Sequence, residues 1–239
     1  MRRENEHQQN TALKAGVRKR VEQVVFTLLL QAAILFLSSG ILAWMWAWVF
    51  IALNLAGMAI NARIMLRYSP ETIAERAKTQ GMKSWDKIVA GLWALMYYIV
   101  MLLVAGLDRR FSWSGSLALA YHIAGGVFFA AGFALFSWAM VTNAYFSTVA
   151  RIQEERAHTV CTSGPYRFVR HPGYLGFGLA QMLGTPLMLG SLWSLIPGGL
   201  ATVLMVIRTA LEDRMLQAEL DGYQDYAQRV RYRLLPGVW

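Results

Sequence analysis

The chain of 239 residues has one cysteine, Cys161. A single thiol excludes an intrachain disulfide and any multi-cysteine metal centre. Cys161 also has no obvious base partner, so a nucleophilic role is not expected. Charge is scarce: Asp, Glu, Lys and Arg make up 15% of the residues, against about 25% in a soluble domain. Strand-like patterning is missing, and no glycine-rich dinucleotide fingerprint follows a strand. A soluble Rossmann-type cofactor domain is therefore excluded. His158 and His171 have no neighbouring carboxylates that would complete a zinc site, so no metal is expected. Internal repeats and low-complexity tracts are absent.

What the chain does have is apolar residues, 56% of the total, gathered in blocks. A spanning helix needs about 20 of them in succession. Candidate spans cover residues 21–37, 41–60, 88–107 and 117–141, followed by a final pair, 174–190 and 192–211. Ser38, Ser39 and Gly40 mark a turn between the first two. Gly184, Pro186, Pro197, Gly198 and Gly199 weaken the last pair as regular helices. The fold expected is all-α, a multi-pass transmembrane helical bundle with about five to six spans. Residues 1–20 read as a mobile basic tail without a cleavable signal. Residues 21–141 read as a four-span membrane region. Residues 142–239 read as the region carrying the chemistry, with the last hairpin and the C-terminal tail. Residues 61–87 read as a surface helix or loop, with Ser69, Pro70 and Glu71 as a helix start. Trp44, Trp46, Trp48, Trp85, Trp113 and Trp193 sit near the ends of apolar runs, as interfacial anchors do.

The net charge of +9 does not point to nucleic acid, because the basic residues fall between apolar blocks rather than on one soluble face. Their distribution selects an orientation. With the N-terminus cytoplasmic, Lys and Arg number 6 in residues 1–20, 6 in 61–87, 4 in 143–172 and 5 from Arg208 onward. Only Arg109 and Arg110 then fall on the far side, which is the positive-inside pattern. A cell (inner) membrane or endomembrane protein is expected, with N-terminus and active site cytoplasmic.

Two segments carry the chemistry. The first is Thr162 to Leu175, TSGPYRFVRHPGYL, which sets two Arg, one His, two Pro and two Tyr beside lipid-length helices. Polar groups so placed are costly without a use. Pro172 fixes its own φ and turns His171 away from helical geometry. His171 and Tyr174 can then face inward at a helix start. The bland alternative is an interfacial loop, with Arg170 on lipid phosphates and Tyr174 in the aromatic belt. The second segment is Arg208 to Asp213, RTALED. Arg208 and Glu212 are four apart and share a helix face. A guanidinium fork suits a carboxylate, although an Arg at a span end can also simply snorkel to the interface, with Glu212 as its ion-pair partner. The last hairpin returns these two segments to each other on the cytoplasmic side. Tyr145, Trp138 and Phe136 read as packing on the fourth span. Tyr223, Tyr226 and Val230 recur at helical spacing in the tail, which can cover the pocket or lie on the membrane.

Taken together, His158, Thr159, Val160 and Cys161, then Ser163 to Tyr166, Arg170 to Tyr174, Arg208 with Glu212, and the closing Gly222, Tyr223, Tyr226, Val230 and Pro236 resemble the isoprenylcysteine carboxyl methyltransferase family. The resemblance covers residues 143–239, and the preceding residues match only as membrane spans. It implies S-adenosylmethionine as methyl donor, bound at the cytosolic face. It further implies that His158, Thr159, Val160, Cys161, Tyr166, His171, Pro172, Gly173, Tyr174 and Glu212 bind the cofactor. Arg208 would hold the carboxylate of a lipidic or isoprenoid substrate and serve as the catalytic residue. Either Arg151 or Gln153 would stand where the family carries a Gln. Three other readings remain open: a phospholipid amine N-methyltransferase, an NADPH-dependent membrane reductase of the sterol-reductase type, and a non-enzymatic membrane scaffold.

Overall fold

The computed structural model describes residues 2–239. Among them there is no strand, and the all-α expectation holds. Five helices are long and apolar enough to cross a membrane. In chain order the elements are α1 (Arg2–Ser39), α2 (Met45–Tyr68), the short α3 (Pro70–Glu75), the rod α4 (Ser84–Phe111) and α5 (Leu119–Thr142). A shorter rod α6 follows over residues 172–189, then α7 (Leu195–Glu219) and α8 (Tyr223–Arg229). The spans α1, α2, α4 and α7 are longer than the apolar runs suggest, because polar residues at their ends continue the helix, while α5 closely matches its run. The basic segment expected to be mobile is helical from Arg2 onward and continuous with α1. It is pinned at Gly16, where a Cβ would lie 2.7 Å from the Ala74 side chain of α3.

The outer faces are lipid-like. Phe26, Leu29, Leu37, Ile60, Ile88 and Val127 are each more than half exposed. In water such faces would associate, whereas in a bilayer they are solvated by acyl chains. Trp48, Trp113 and Trp193 are half-exposed, as interfacial anchors should be, but Trp44 is buried in the core. The first chain reversal follows its sequence signal, and a second glycine closes α6. Gly40 ends α1 with a φ of +70° and Gly190 ends α6 with a φ of +74°, the left-handed geometry that favours glycine.

Two features fix α6, the element that carries the His171 turn. First, α5 and α6 touch backbone to backbone. A Cβ at Gly176 would lie 2.5 Å from the Phe136 nitrogen, and one at Gly184 2.8 Å from the Phe129 nitrogen. Gly125 and Gly132 meet the α6 backbone from the other side. Small residues permit this approach inside a membrane, where packing rather than water exclusion drives helix association. Second, α4 and α6 each contain a π-helical turn, Leu95–Met101 and Gly178–Gly184. The two turns meet through Tyr97, whose hydroxyl donates to the buried Gln181 side chain. Thr185 donates to the same oxygen at 3.2 Å.

Candidate functional site

At one end of the bundle, the residues after α3, the 143–171 connection, the start of α6, the end of α7 and α8 enclose a cavity of about 290 Å³. Both chemistry-bearing segments line it. Two buried acids hold them in place.

Asp213 is fully buried. It accepts from Arg170 Nε at 2.7 Å and Nη2 at 2.9 Å, and from Arg233 Nε at 2.8 Å. Gln217 Nε2 donates to it at 2.8 Å and the Tyr223 hydroxyl at 3.1 Å, while His171 Nε2 stands 3.3 Å away. One carboxylate thus ties the His171 turn, α7, α8 and the tail together. The tail also pairs by backbone, with Arg170 N–H donating to the Tyr232 carbonyl and His171 N–H to that of Arg233, both at 2.9 Å. Tyr223 and Tyr226 line the cavity as its cover.

Asp86, in the first turn of α4, is the second anchor and is also fully buried. Arg208 Nε donates to it at 2.6 Å and Nη2 at 3.0 Å, and Nη2 also reaches the Thr148 carbonyl at 2.9 Å. The Ala150 N–H donates to the same carboxylate at 2.7 Å. Arg208 and Glu212 both line the cavity, but they do not pair with each other. Glu212 accepts from the Tyr174 hydroxyl, and the Arg208 guanidinium lies over the Tyr174 ring, 5.4 Å from its centroid. Asp86 and Thr148 take the Nε and Nη2 edge of Arg208 and leave Nη1 without an acceptor among the described residues.

Another wall is the run His158, Thr159, Val160 and Cys161, all of which line the cavity. Among the described residues their backbone N–H groups find no acceptor, an open account for a segment beside a cavity. The His158 ring packs at a tilt against that of Tyr145, 4.3 Å between centroids. Its pKa is pushed down to about 4, first by burial and then by the nearby Arg156 and Arg151 charges, so the ring is neutral at neutral pH. Burial likewise pushes the Cys161 thiol up, which keeps it protonated, and its Sγ sits 3.6 Å from the Thr142 carbonyl. Tyr166, Tyr223 and Tyr226 are also raised by burial, so they stay neutral phenols.

Of the residues the resemblance marks for the cofactor, His158 to Cys161, Tyr166, His171, Gly173, Tyr174 and Glu212 share this cavity, and Arg208 joins them. Pro172 is buried at the α6 start and does not line it. Arg151 lines the cavity, held by Glu75 and Glu155 at 2.7 Å each. Gln153 turns away, donating to the Tyr145 carbonyl at 2.7 Å and accepting from Arg156 at 2.8 Å. Two residues read as packing belong to the cavity instead. α5 stops at Thr142, so Tyr145 lies in the connection, and both it and Phe136 line the wall. Sequence reasoning also missed Arg20, Arg76, Asp86, Trp93 and Tyr98. Asp86 resembles an ordinary first-turn acid favoured by the helix dipole, and its partner is distant in the chain. Among the described residues, no cluster of three or more His, Cys, Asp or Glu side chains is placed to hold a metal.

Residues 125–218 match the model of the isoprenylcysteine carboxyl methyltransferase family. Two curated proteins, each a probable protein-S-isoprenylcysteine O-methyltransferase from Oryza sativa subsp. indica and subsp. japonica, are 34% identical over 87 residues. That match takes in 36% of this chain and 45% of each relative. The chain therefore spans under half the length of these relatives. Among solved structures, a eukaryotic intramembrane Ras methyltransferase, isoprenylcysteine carboxyl methyltransferase, aligns over 95% of this chain and 98% of its own. The identity is 16% and the TM-score 0.44.

Proposed function

We propose that this chain, which matches the isoprenylcysteine carboxyl methyltransferase family over residues 125–218, is an integral membrane methyltransferase. It would move a methyl group from S-adenosylmethionine to the carboxylate of a lipidic, isoprenyl-type acceptor. The observation that carries this reading is the convergence of the His171 turn and the Arg208–Glu212 turn on one cavity at the end of the bundle. The orientation proposed with it is a cytoplasmic N-terminus and active site, from the positive-inside count.

The residues present fit the donor. The unpaired N–H groups of residues 158–161 can read its polar edges, and the Thr159 hydroxyl adds a further donor. Glu212 and the ring faces of Tyr174 and Tyr223 suit cationic groups, since a positive charge is drawn to a carboxylate and to the π-face of an aromatic ring. A neutral His158 adds no opposing charge. His158, Thr159, Val160, Cys161, Tyr166, His171, Gly173, Tyr174 and Glu212 would line the donor site, with Pro172 setting the turn. Arg151 is the better placed counterpart of the family's Gln.

S-adenosylmethionine supplies a methyl group already activated on a sulfonium. The acceptor carboxylate is ionised at neutral pH, so no general base is required. The protein's task is alignment and exclusion of water. Arg208, braced by Asp86 and Thr148, presents its remaining Nη1 edge to the acceptor without accepting a proton. The tyrosine cover from α8 closes the chamber. An amine acceptor would be cationic before reaction and would meet the guanidinium groups that line the cavity, which favours a carboxylate.

Purified protein should bind S-adenosylmethionine and not NADPH. With labelled donor it should methylate a farnesylated cysteine and leave phosphatidylethanolamine unlabelled. Binding of NADPH alone, or label entering only the amine lipid, would overturn the assignment. Binding of neither cofactor would leave the scaffold reading.

A further inference from the structure

Five arginines line the cavity, and they fall into two classes. Arg151, Arg170 and Arg208 are each matched to a carboxylate, respectively Glu75 with Glu155, Asp213 and Asp86. Arg20 and Arg76 have no ion pair among the described residues. Arg20 donates only to Gln23, at 3.2 Å. Arg76 has its Nη1 buried with no hydrogen-bond partner, and its guanidinium packs over Phe146 and Phe136, 5.1 and 5.7 Å from the ring centroids. The indole N–H of Trp93, on the same cavity wall, is likewise buried and unpartnered.

A buried guanidinium without a counter-ion costs several kcal/mol in desolvation, and unpaired donors add to that cost. The strain is visible in Arg76, whose pKa is pushed down to about 9, first by burial and then by repulsion from Arg20. The Arg208 charge adds to the repulsion. Such an arrangement persists most readily when a ligand supplies the missing negative charge. Glu212 does not supply it, being the one carboxylate in the lining and already hydrogen-bonded to Tyr174.

We infer that Arg76, with Arg20 and the Trp93 N–H, forms an anion subsite at the acceptor end of the cavity that reads the acceptor's carboxylate together with Arg208. This deepens the methyltransferase reading and rests on it. Tyr98, Phe177 and Met205, which line the same cavity, offer apolar surface for the hydrocarbon that follows the head group. Arg208 would set the attacking oxygen, while Arg76 would take the other side of the head group.

The test is equilibrium binding to protein in nanodiscs, with N-acetyl-S-farnesylcysteine and its uncharged carboxamide as probes and S-adenosylhomocysteine as a control ligand. Wild type should prefer the carboxylate by about tenfold or more, the scale of one charge-assisted hydrogen bond. Arg76→Gln should erase most of that preference and leave S-adenosylhomocysteine affinity unchanged. Arg76→Lys should keep part of it, and Trp93→Phe should weaken it by less than Arg76→Gln does. Should Arg76→Gln fail to fold, the Lys and Phe variants carry the same comparison. A carboxylate preference that stays at the wild-type level in both Arg76→Gln and Arg76→Lys, or in Arg76→Lys and Trp93→Phe where the Gln variant does not fold, overturns the subsite and leaves the methyltransferase intact. A wild type that binds S-adenosylhomocysteine but treats the two lipids alike overturns it in the same way. A wild type that binds neither S-adenosylhomocysteine nor either lipid overturns the functional reading, and the subsite with it.

Discussion

Asp213→Asn is the sharpest probe of how the chamber is built. The substitution keeps the side-chain shape and removes one charge. In the native site that charge faces Arg170 and Arg233, with Tyr223 and Gln217 donating to the same two oxygens. An asparagine keeps one acceptor oxygen and turns an NH2 toward a guanidinium fork that also only donates. Arg170 is then left almost fully buried without a counter-charge. Breaking a buried pair in this way costs about 3–5 kcal/mol. The tail would stay attached through the Arg170 contacts to the Val230 and Arg231 carbonyls, at 2.8 and 2.9 Å, so loosening rather than release is expected.

Thermal denaturation in one fixed detergent, read beside S-adenosylhomocysteine binding, measures both consequences. For a chain of this length, about 2–4 °C per kcal/mol converts the loss into a drop of roughly 6–20 °C. Donor-site affinity should fall too, because Asp213 orients His171 and Tyr223. Arg233→Gln is the internal control. The Arg233 side chain is 31% exposed, so its removal should cost no more than about 1 kcal/mol. The reasoning fails if Asp213→Asn is no more destabilising than Arg233→Gln, or if it leaves donor affinity untouched.

Arg208→Lys keeps the charge but loses the fork, and turnover should fall about a hundredfold, the scale of a misaligned attack, with donor binding unchanged. Arg208→Ala should abolish turnover but also strand Asp86, so a loss of stability should accompany it. Lost donor affinity with normal turnover at saturation would refute the role given to Arg208. Gly132→Ala should destabilise by about 1–3 kcal/mol, because the added methyl would strike the Ala180 and Gly176 backbone. Gly126→Ala on the same helix meets nothing within 4 Å and should be neutral or slightly stabilising; equal effects in a denaturation series would discount the α5–α6 contact. His158 has a folded pKa of about 4 against an ordinary 6.5. Between those values the unfolded chain binds the extra proton, so this residue's contribution to stability is intact above pH 6.5 and declines as pH falls toward 4. His158→Gln should flatten that part of the stability profile, and an unchanged slope would refute it.

The parts readable in the sequence are those governed by local rules. Apolar run length located six candidate spans, of which five are helices long enough to cross a membrane, Gly40 marked the first reversal, and Pro70 opened α3 where a first-turn proline should. The convergence of the two cavity segments also followed from local signals, since a hairpin must return its ends to one face. The unread parts all depend on long-range pairing. Nothing near Asp86 distinguishes a helix-dipole acid from the counter-ion of an arginine 122 positions later. Asp213 simply follows Glu212 in the sequence, and only its burial reveals that it gathers the surrounding donors. The Tyr145 assignment failed on a helix boundary: α5 ends at Thr142, and the next three residues leave its axis. π-helical turns have no signature in a hydropathy pattern, so the Tyr97–Gln181 bridge was out of reach as well.

The division of the cavity bears on what selects the acceptor. The family match covers residues 125–218, and this stretch contributes His158 to Cys161, the His171 turn, Arg208 and Glu212. Those are the groups proposed to hold the donor and align the carboxylate. Arg20, Arg76, Trp93 and Tyr98 come from α1, the segment after α3, and α4, all outside that match, yet they line the same chamber. The π-helical bridge between α4 and α6, together with the Asp86–Arg208 pair, locks these two contributions in register. On the proposed reading, the chemistry and the choice of acceptor would reside in different lengths of chain, held together by buried contacts such as these. On this reasoning, a relative sharing only the matched stretch would share the methyl donor, while its acceptor would be set by whatever charges and rings its own first spans bring to the inner wall.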